Sequence, residues 1–189
     1  MGFTNCEIMR IALDVQHINK PAKPYDKGAS YKRLTEAYAV ENYFRYTRAL
    51  LEEDGHEVHS GFFGSYRDRH EQVNRYDFDL YIAGHLNAGK GKYSLVCHTT
   101  TAYPRTRKIA EILLDEFCER LHTTKASTPI WELGPKDRGW SCIKHTKCSA
   151  ILIEPLFIDN VLHHEMIISG EATVKIAEAI REAVRRWEI

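Results

Sequence analysis

The stretch DLYIAGHLNAG (residues 79–89) opens with an almost uninterrupted apolar run and ends in a loop with glycine on both sides. A strand with one exposed face would alternate apolar and polar residues, whereas a run without alternation indicates a strand buried on both faces. We therefore predict a buried strand over Asp79–Gly84. Such strands are typical of parallel sheets that helices cover on each side.

The segments on either side of this stretch predict the same architecture. Buried strands are predicted at 9–14, 93–99 and 150–153, a short strand at 57–60, and helices at 36–55, 66–76, 104–121 and from about 171 onward. Residues 15–34 are predicted to form a long loop, and residues 122–141 are predicted to be mostly loop. Strands that alternate with helices predict one α/β domain over residues 1–189, with a mostly parallel, twisted sheet flanked by helices.

Composition excludes some classes of protein. The chain has 26 basic and 26 acidic residues, and this balance argues against a general nucleic-acid binder, which usually has a basic excess. No apolar run approaches the roughly 18 residues of a transmembrane helix, so we expect no membrane insertion. The N-terminus does not resemble a signal peptide. Five cysteines at scattered spacings favour reduced thiols and synthesis in a cytoplasm.

Ionisable residues stand where three predicted strands end. Asp14 and His17 follow the first strand, His85 follows the strand at 79–84, and Glu154 follows the strand at 150–153. In such sheets ligands bind beyond the carboxyl ends of the strands. Together with Glu36, which opens the first long helix, these residues offer nitrogen and oxygen ligands suited to zinc. Hydrogen-bonded histidines, a helix-dipole glutamate and an ion pair would also explain them, so the residues alone leave both interpretations open.

Three other motifs have weaker claims to a function. Residues 84–90 approximate a phosphate-binding loop, but Gly91 replaces the required Ser or Thr and a strand follows where a helix is needed, so we predict a turn between strands. The ligands in Cys142–Cys148 lack the spacing of a zinc knuckle. His163 and His164 are predicted to be a solvated pair in a helix.

Five segments in this order resemble the zinc-dependent N-acetylmuramoyl-L-alanine amidases of the amidase-3 family. They are IALDVQH (11–17), LTE (34–36), RHEQVN (69–74), DLYIAGHLNAG (79–89) and RGWSCIKHTKCSAILIEPLFIDN (138–160). The similarity extends over nearly the whole chain. It departs from the family pattern on both sides of the first histidine, where Val15-Gln16 replaces Pro-Gly and Ile18-Asn19 replaces two glycines.

The resemblance implies that His17, Glu36 and His85 bind Zn²⁺ and that Glu154 is the catalytic carboxylate. It implies an amidase fold and a hydrolase acting on peptidoglycan. The enzyme would use a zinc-activated water to cleave the amide between N-acetylmuramic acid and the first L-alanine of the stem peptide.

Five further residues receive roles at this stage. Asn87 and Lys144, the latter standing where the family commonly has arginine, are predicted to bind substrate. Asp14 is predicted to orient His17 as a hydrogen-bond acceptor. Arg69 and Asn74 are predicted to be structural.

Compact members of this family include phage lysins, so we expect an endolysin that lyses its host. It would be made in the cytoplasm without a signal peptide and would reach the wall after the membrane is permeabilised. A bacterial autolysin domain, another zinc amidohydrolase or carboxypeptidase, and a non-catalytic peptidoglycan-binding regulator remain as alternatives. Peptidoglycan is the expected partner, and neither nucleic-acid binding nor membrane insertion is expected.

Overall fold

A computed structural model describes residues 8–133 and 141–187, with side chains described for 8–125 and 143–187. In chain order the elements are β1 (Arg10–Val15), β2 (Ser30–Tyr31), β3 (Leu34–Thr35), α1 (Glu36–Glu53), β4 (Glu57–His59), α2 (Tyr66–Val73), β5 (Leu80–Gly84), β6 (Tyr93–Thr99), α3 (Pro104–Leu121), β7 (Thr124–Leu133), α4 (Ser141–Lys144), β8 (Ser149–Glu154), α5 (Val161–Ile168) and α6 (Glu171–Arg186). None of the helices in these ranges is long and apolar enough to cross a lipid bilayer.

The main sheet has six strands in the order β4-β1-β5-β8-β6-β7. Strands β4, β1, β5 and β8 are parallel neighbours, β6 is antiparallel to β8, and β7 is parallel to β6. The predicted α/β domain with a mostly parallel sheet is therefore confirmed. The carboxyl ends of β1, β5 and β8 lie at one edge of the sheet, which is also where β6 begins.

Strand β5 shows why its sequence does not alternate. Leu80 and Ile82 pack into one hydrophobic cluster, with residues of α1, α3 and α6, while Tyr81 and Ala83 pack into a second cluster on the other face. Val73 of α2 belongs to this second cluster. Because helices cover both faces, every position of the strand is buried, as the apolar run at 79–84 predicts.

Two predicted loops contain strands. The hairpin of β2 and β3 lies at the end of the predicted loop 15–34, and β7 occupies much of the predicted loop 122–141. Residues 134–140 of that second loop lie outside the described residues. In the part of the chain that the structure describes, β7 pairs only with β6 at the edge of the sheet, and the prediction missed it because this pairing is a long-range property that leaves no local signal in the sequence.

Candidate metal centre

Three side chains meet at the carboxyl edge of the sheet. His17 stands two residues beyond the end of β1, Glu36 is the first residue of α1, and His85 directly follows β5. Ligand atoms of the three residues all lie within 4.8 Å of one another. Within the described ranges, this is the one group of three or more His, Cys, Asp or Glu residues arranged closely enough to hold a metal ion.

The carboxylate of Glu36 lies at the centre of this group. Its Oε1 atom is 3.4 Å from Nε2 of His17 and 2.8 Å from Nδ1 of His85. The backbone amides of Ala29 and Leu86 donate hydrogen bonds to Oε2 and Oε1, at 2.8 and 3.1 Å. Burial alone would raise the pKa of Glu36, but the hydrogen bonds from the two histidines outweigh it and hold the pKa well below its usual range. Glu36 is therefore anionic at neutral pH.

This donor set suits a divalent cation. Two imidazole nitrogens point at the same carboxylate oxygen, and catalytic zinc sites are built from three such protein ligands with a further position left open. A cation bound between these groups would take both nitrogens as ligands, and neither nitrogen would then carry a proton.

Asp26 contacts His17 on the side of the ring away from Glu36, and the sequence analysis did not identify this residue. Its Oδ1 atom lies 2.9 Å from Nδ1 of His17, and its Oδ2 atom accepts a 2.9 Å hydrogen bond from Nζ of Lys20. The amide of Gly28 also donates to Oδ1, at 3.0 Å. A second partner of this kind fixes the orientation and tautomer of a metal-binding histidine. The only sequence signal was an aspartate inside a long basic loop.

The prediction that Asp14 orients His17 is wrong. The carboxylate of Asp14 pairs with the guanidinium of Arg69 and accepts hydrogen bonds from the Tyr81 hydroxyl at 2.6 Å and from Nε2 of Gln16 at 2.7 Å. Side chains alternate along a strand, and Asp14 points to the same face of β1 as Ala12, towards α2. His17 comes after the chain has left the strand, and α1 brings Glu36 to it from the opposite face.

Gly28 lets its loop approach the triad closely. A Cβ atom at this position would stand 2.3 Å from Oε2 of Glu36 and 2.8 Å from Cδ2 of His17. The backbone φ is also +69°, in the left-handed region that favours glycine. The site therefore requires glycine here for both space and conformation.

Glu154 stands beside the triad at the end of β8. The neighbouring strands hold it there, since the amide of His85 donates a 3.0 Å hydrogen bond to the carbonyl of Ile153. Burial and the negative charge of Glu36 raise the pKa of Glu154 to about 7. Burial and the same two carboxylates also raise the pKa of the Tyr43 hydroxyl, which donates a 3.3 Å hydrogen bond to the His85 carbonyl. The cluster thus pairs an ionised carboxylate with one that titrates near neutrality.

The two residues predicted to bind substrate lie in different places. Asn87 is two residues beyond His85, and its amide and carbonyl bond to Leu156 and Ile158, both at 2.9 Å. Its side-chain oxygen accepts a 2.8 Å hydrogen bond from the Ala88 amide. Lys144 ends α4, before β8 begins, and lines a small cavity with residues at the other edge of the sheet. The structure therefore brings Asn87 near the triad but not Lys144.

The residues predicted to be structural have that role. Arg69 is completely buried and pairs with Asp14. The side chain of Asn74 donates to the carbonyl of His145 and accepts from the amide of Lys147, both at 2.8 Å.

Among the described side chains, the remaining motifs do not form ligand sites of their own; the side chain of Cys142 lies outside this range. The amides of Gly89 and Lys90 donate to the carboxylate of Asp159 at 2.9–3.0 Å, so the chain itself supplies the anion that a phosphate-binding loop would take from a ligand. Burial raises the pKa of the Cys148 thiol to about 12, which disfavours the thiolate that metals bind.

The prediction that His163 and His164 form a solvated pair is wrong. Both are buried: Nδ1 of His163 accepts a 3.0 Å hydrogen bond from the Phe157 amide, and the ring of His164 packs edge-on against Tyr31.

A cleft of about 760 Å³ opens beside His17. Its walls come from the loop after β1, the start of α1 and the loop after β4. The lining residues are Ile18, Asn19, Lys20, Pro21, Pro24, Lys27, Glu41, Gly61 and Phe63. Two hydrogen bonds hold the loop after β1 and the loop after β4 together. The Gly64 amide donates to the Asn19 carbonyl at 2.7 Å, and the Asn19 side chain donates to the Phe62 carbonyl at 3.5 Å.

The family of the chain follows from its sequence. Residues 11–186 match the family model described as N-acetylmuramoyl-L-alanine amidase. The chain belongs to this amidase family. Membership supports amidase activity on peptidoglycan, and the matched range includes the triad and Glu154. A sequence comparison with curated proteins gives no match.

Solved structures of amidases have the same fold. An N-acetylmuramoyl-L-alanine amidase from Clostridium difficile 630 is 19% identical with a TM-score of 0.77, covering 94% of this chain and 95% of that one. The CwlD amidase from Clostridioides difficile, solved in complex with the GerS lipoprotein, is 18% identical with a TM-score of 0.78, covering 95% and 98%. The catalytic domain of the CD27L endolysin, which targets Clostridia difficile, is 21% identical with a TM-score of 0.69, covering 96% and 99%.

Proposed function

We propose that this protein is a zinc-dependent amidase that hydrolyses the bond between N-acetylmuramic acid and the first L-alanine of the peptidoglycan stem peptide. One observation carries the proposal most strongly: His17, Glu36 and His85 present ligand atoms within 4.8 Å of one another beside the half-buried carboxyl of Glu154. Family membership supports the substrate class. The catalytic domain would extend over residues 1–189.

The triad would hold the metal through Nε2 of His17, Nδ1 of His85 and a carboxylate oxygen of Glu36. A zinc ion bound there supplies Lewis acidity, which polarises the substrate carbonyl and lowers the pKa of a bound water towards about 7. Asp26 keeps Nδ1 of His17 engaged, so that Nε2 stays directed at the metal.

Glu154 would move the proton. A carboxyl that titrates near the working pH can accept a proton from the attacking water and return it to the leaving amine. Burial and the charge of Glu36 raise the pKa of Glu154 to about 7, which suits both steps. Because β8 pairs with β5, the carboxyl of Glu154 would lie beside the three proposed ligands.

The stem peptide would lie in the cleft beside His17. Although the chain has no net charge, residues 18–33 carry four lysines and one arginine against a single acid, Asp26, which is engaged with His17 and Lys20. Stem peptides carry free carboxylates, so this loop complements their charge. Lys27 and Phe63 on the cleft walls are exposed, and Glu41 offers one opposite charge for an amine of the peptide. We keep Asn87 as a proposed substrate contact on the other side of the triad; the position of Lys144 gives no support to such a role.

The test is hydrolysis of purified cell wall with the metal under control. The protein is stripped with chelator, and release of amino groups from wall fragments is followed before and after one equivalent of zinc is added. The amidase proposal predicts activity only with zinc and new amino-terminal alanine. Release of amino acids from the carboxyl end of the peptide would indicate a carboxypeptidase. Binding to the wall without release would indicate a regulator.

We further propose that the enzyme acts as a phage endolysin on its host wall, because compact members of the family that it resembles include phage lysins and an endolysin catalytic domain has a similar fold. It would then be synthesised in the cytoplasm and reach the wall once the membrane is permeabilised. A phage that lacks its own endolysin should release progeny when this chain is supplied in the host. No release from a host whose purified wall the enzyme digests would instead favour a bacterial autolysin.

A further inference from the structure

Arg69 is a completely buried cation that no proposed chemical step uses. It lies on α2, with no exposed surface, on the face of the sheet opposite α1. Burying a charged group is costly unless it is paired and its donors are satisfied. The partners that satisfy this guanidinium therefore show what its burial achieves.

Its hydrogen bonds lie on both sides of a proposed zinc ligand. Nη1 contacts the carbonyl of Val15 at 3.2 Å, two residues before His17, and Nη2 donates to the carbonyl of Ile18, the residue directly after it. Nε donates to the carbonyl of Gly64 at 3.2 Å, which fixes the guanidinium against the loop after β4. One rigid, planar group thus holds the backbone before and after the histidine.

We call this arrangement, the Arg69 guanidinium bonded to the backbone on both sides of His17, the clamp. The counter-ion of Arg69 adds further bonds to it. Nη1 pairs with one oxygen of Asp14, and the other oxygen accepts the Tyr81 hydroxyl and Nε2 of Gln16. Gln16 also donates to the Tyr81 hydroxyl at 2.9 Å, and both side chains are completely buried. Gln16 directly precedes His17. The chain at His17 is therefore held through the side chain of Gln16 as well as through the backbone carbonyls of Val15 and Ile18.

We propose that Arg69 is a positioning residue for the metal: with Asp14, it fixes the Val15–Ile18 backbone so that Nε2 of His17 faces Glu36. Arg69 would act through this backbone and is not itself one of the proposed ligands. The metal part of this inference rests on the proposed function, whereas the backbone part does not.

The test compares two arginine variants on the same helix. Arg69→Lys keeps the charge but loses the fork that reaches several carbonyls, and the matched control is Arg67→Lys, an exposed residue paired with Glu71. Zinc affinity is measured by competition with a chelating dye. Arg69→Lys should weaken zinc binding by about 10–100-fold, as loss of a residue that orients a ligand does, and Arg67→Lys should leave it unchanged.

A residue that only stabilises the fold would give a different result. Arg69→Lys would then unfold more easily but bind zinc as tightly as the wild type, and that result overturns the proposal. Should Arg69→Lys fail to fold, Tyr81→Phe decides, because it keeps the arginine and removes one hydrogen bond to Asp14. A loss of about fivefold in zinc affinity supports the clamp, and an unchanged affinity contradicts it.

Hydrogen exchange tests the clamp without any metal. In metal-free Arg69→Lys, or in Tyr81→Phe if needed, amides at 16–19 should exchange faster than in the wild type, while those of β5 keep their protection. Unchanged exchange at 16–19 would overturn the clamp. If the wild type binds no zinc, the proposed function fails, and the exchange measurement still decides whether Arg69 holds this backbone.

Discussion

Asp26 and His17 are joined by a 2.9 Å hydrogen bond between Oδ1 and Nδ1, although they stand nine positions apart in an irregular loop. Burial by itself raises the pKa of Asp26, but the hydrogen bonds from Lys20, the Gly28 amide and His17 hold it well below its usual range. The carboxylate therefore stays ionised at every pH where the enzyme would work, and it keeps a proton on Nδ1 of His17. Nε2 is left to bind the metal.

Replacing Asp26 by Asn should weaken zinc binding without unfolding the protein. The expected loss is about 10–100-fold in affinity, the usual effect of removing a carboxylate that orients a metal-binding histidine. Competition with a chelating dye measures it. Asp115→Asn, which removes an exposed partner of Lys125, is the control and should bind zinc like the wild type. Equal affinity in both variants would contradict the role of Asp26.

Glu154→Gln should separate metal binding from catalysis. Because Glu154 is not among the clustered ligand atoms, zinc content should stay at the wild-type level. Turnover of purified wall should fall by about 10²–10⁴-fold, the usual contribution of a general acid–base. Glu119→Gln, at an exposed position of α3, serves as the control. Near-normal turnover by Glu154→Gln would remove Glu154 from the mechanism.

Glu154 should also make the metal-free protein less stable as the pH rises. Its pKa in the folded state is raised to about 7, against about 4.3 in an unfolded chain. Between these values the folded state binds more protons, so the free energy of unfolding decreases with rising pH. Urea unfolding in chelator from pH 5 to pH 8 should show a smaller decrease for Glu154→Gln than for the wild type. Parallel curves would show that this carboxyl is not perturbed.

Lys27→Ala should weaken substrate binding while leaving the chemical step intact. KM for soluble wall fragments should rise by about fivefold, the upper end of what an exposed ion pair contributes, with kcat unchanged. The effect should shrink at high salt. Lys23→Ala, in the same loop but outside the cleft lining, should behave like the wild type. Equal KM values for all three proteins would place the stem peptide elsewhere.

The fold was largely predictable because the buried strands β1, β5, β6 and β8 each correspond to a short apolar run in the local sequence. The apolar run before His85 ends where β5 ends, the run before Glu154 ends one residue before β8 does, and the proline of Pro104–Leu121 marks the start of α3. The family resemblance then singled out His17, Glu36 and His85, which the sequence alone had left open. Strand β7 was missed because its pairing with β6 is a long-range property of the sheet edge.

The surroundings of the site were less predictable because side-chain partners depend on how loops return to the sheet. Asp26 meets His17 only because the 18–28 loop folds back, with Gly28 against Glu36. Asp14 is closer in sequence to His17 but points to the other face of β1. Lys144 precedes the start of β8, so the length of that strand separates it from Glu154.

The most direct test of the proposed function is mass spectrometry of the fragments that the zinc-loaded protein releases from purified peptidoglycan. Cleavage at the proposed bond predicts stem peptides with a free amino-terminal L-alanine, together with intact glycan chains whose muramic acid residues carry a free lactyl carboxyl group. The same digestion with Glu154→Gln should give neither product. Peptides cut at any other bond, or released equally by Glu154→Gln, would contradict the proposal.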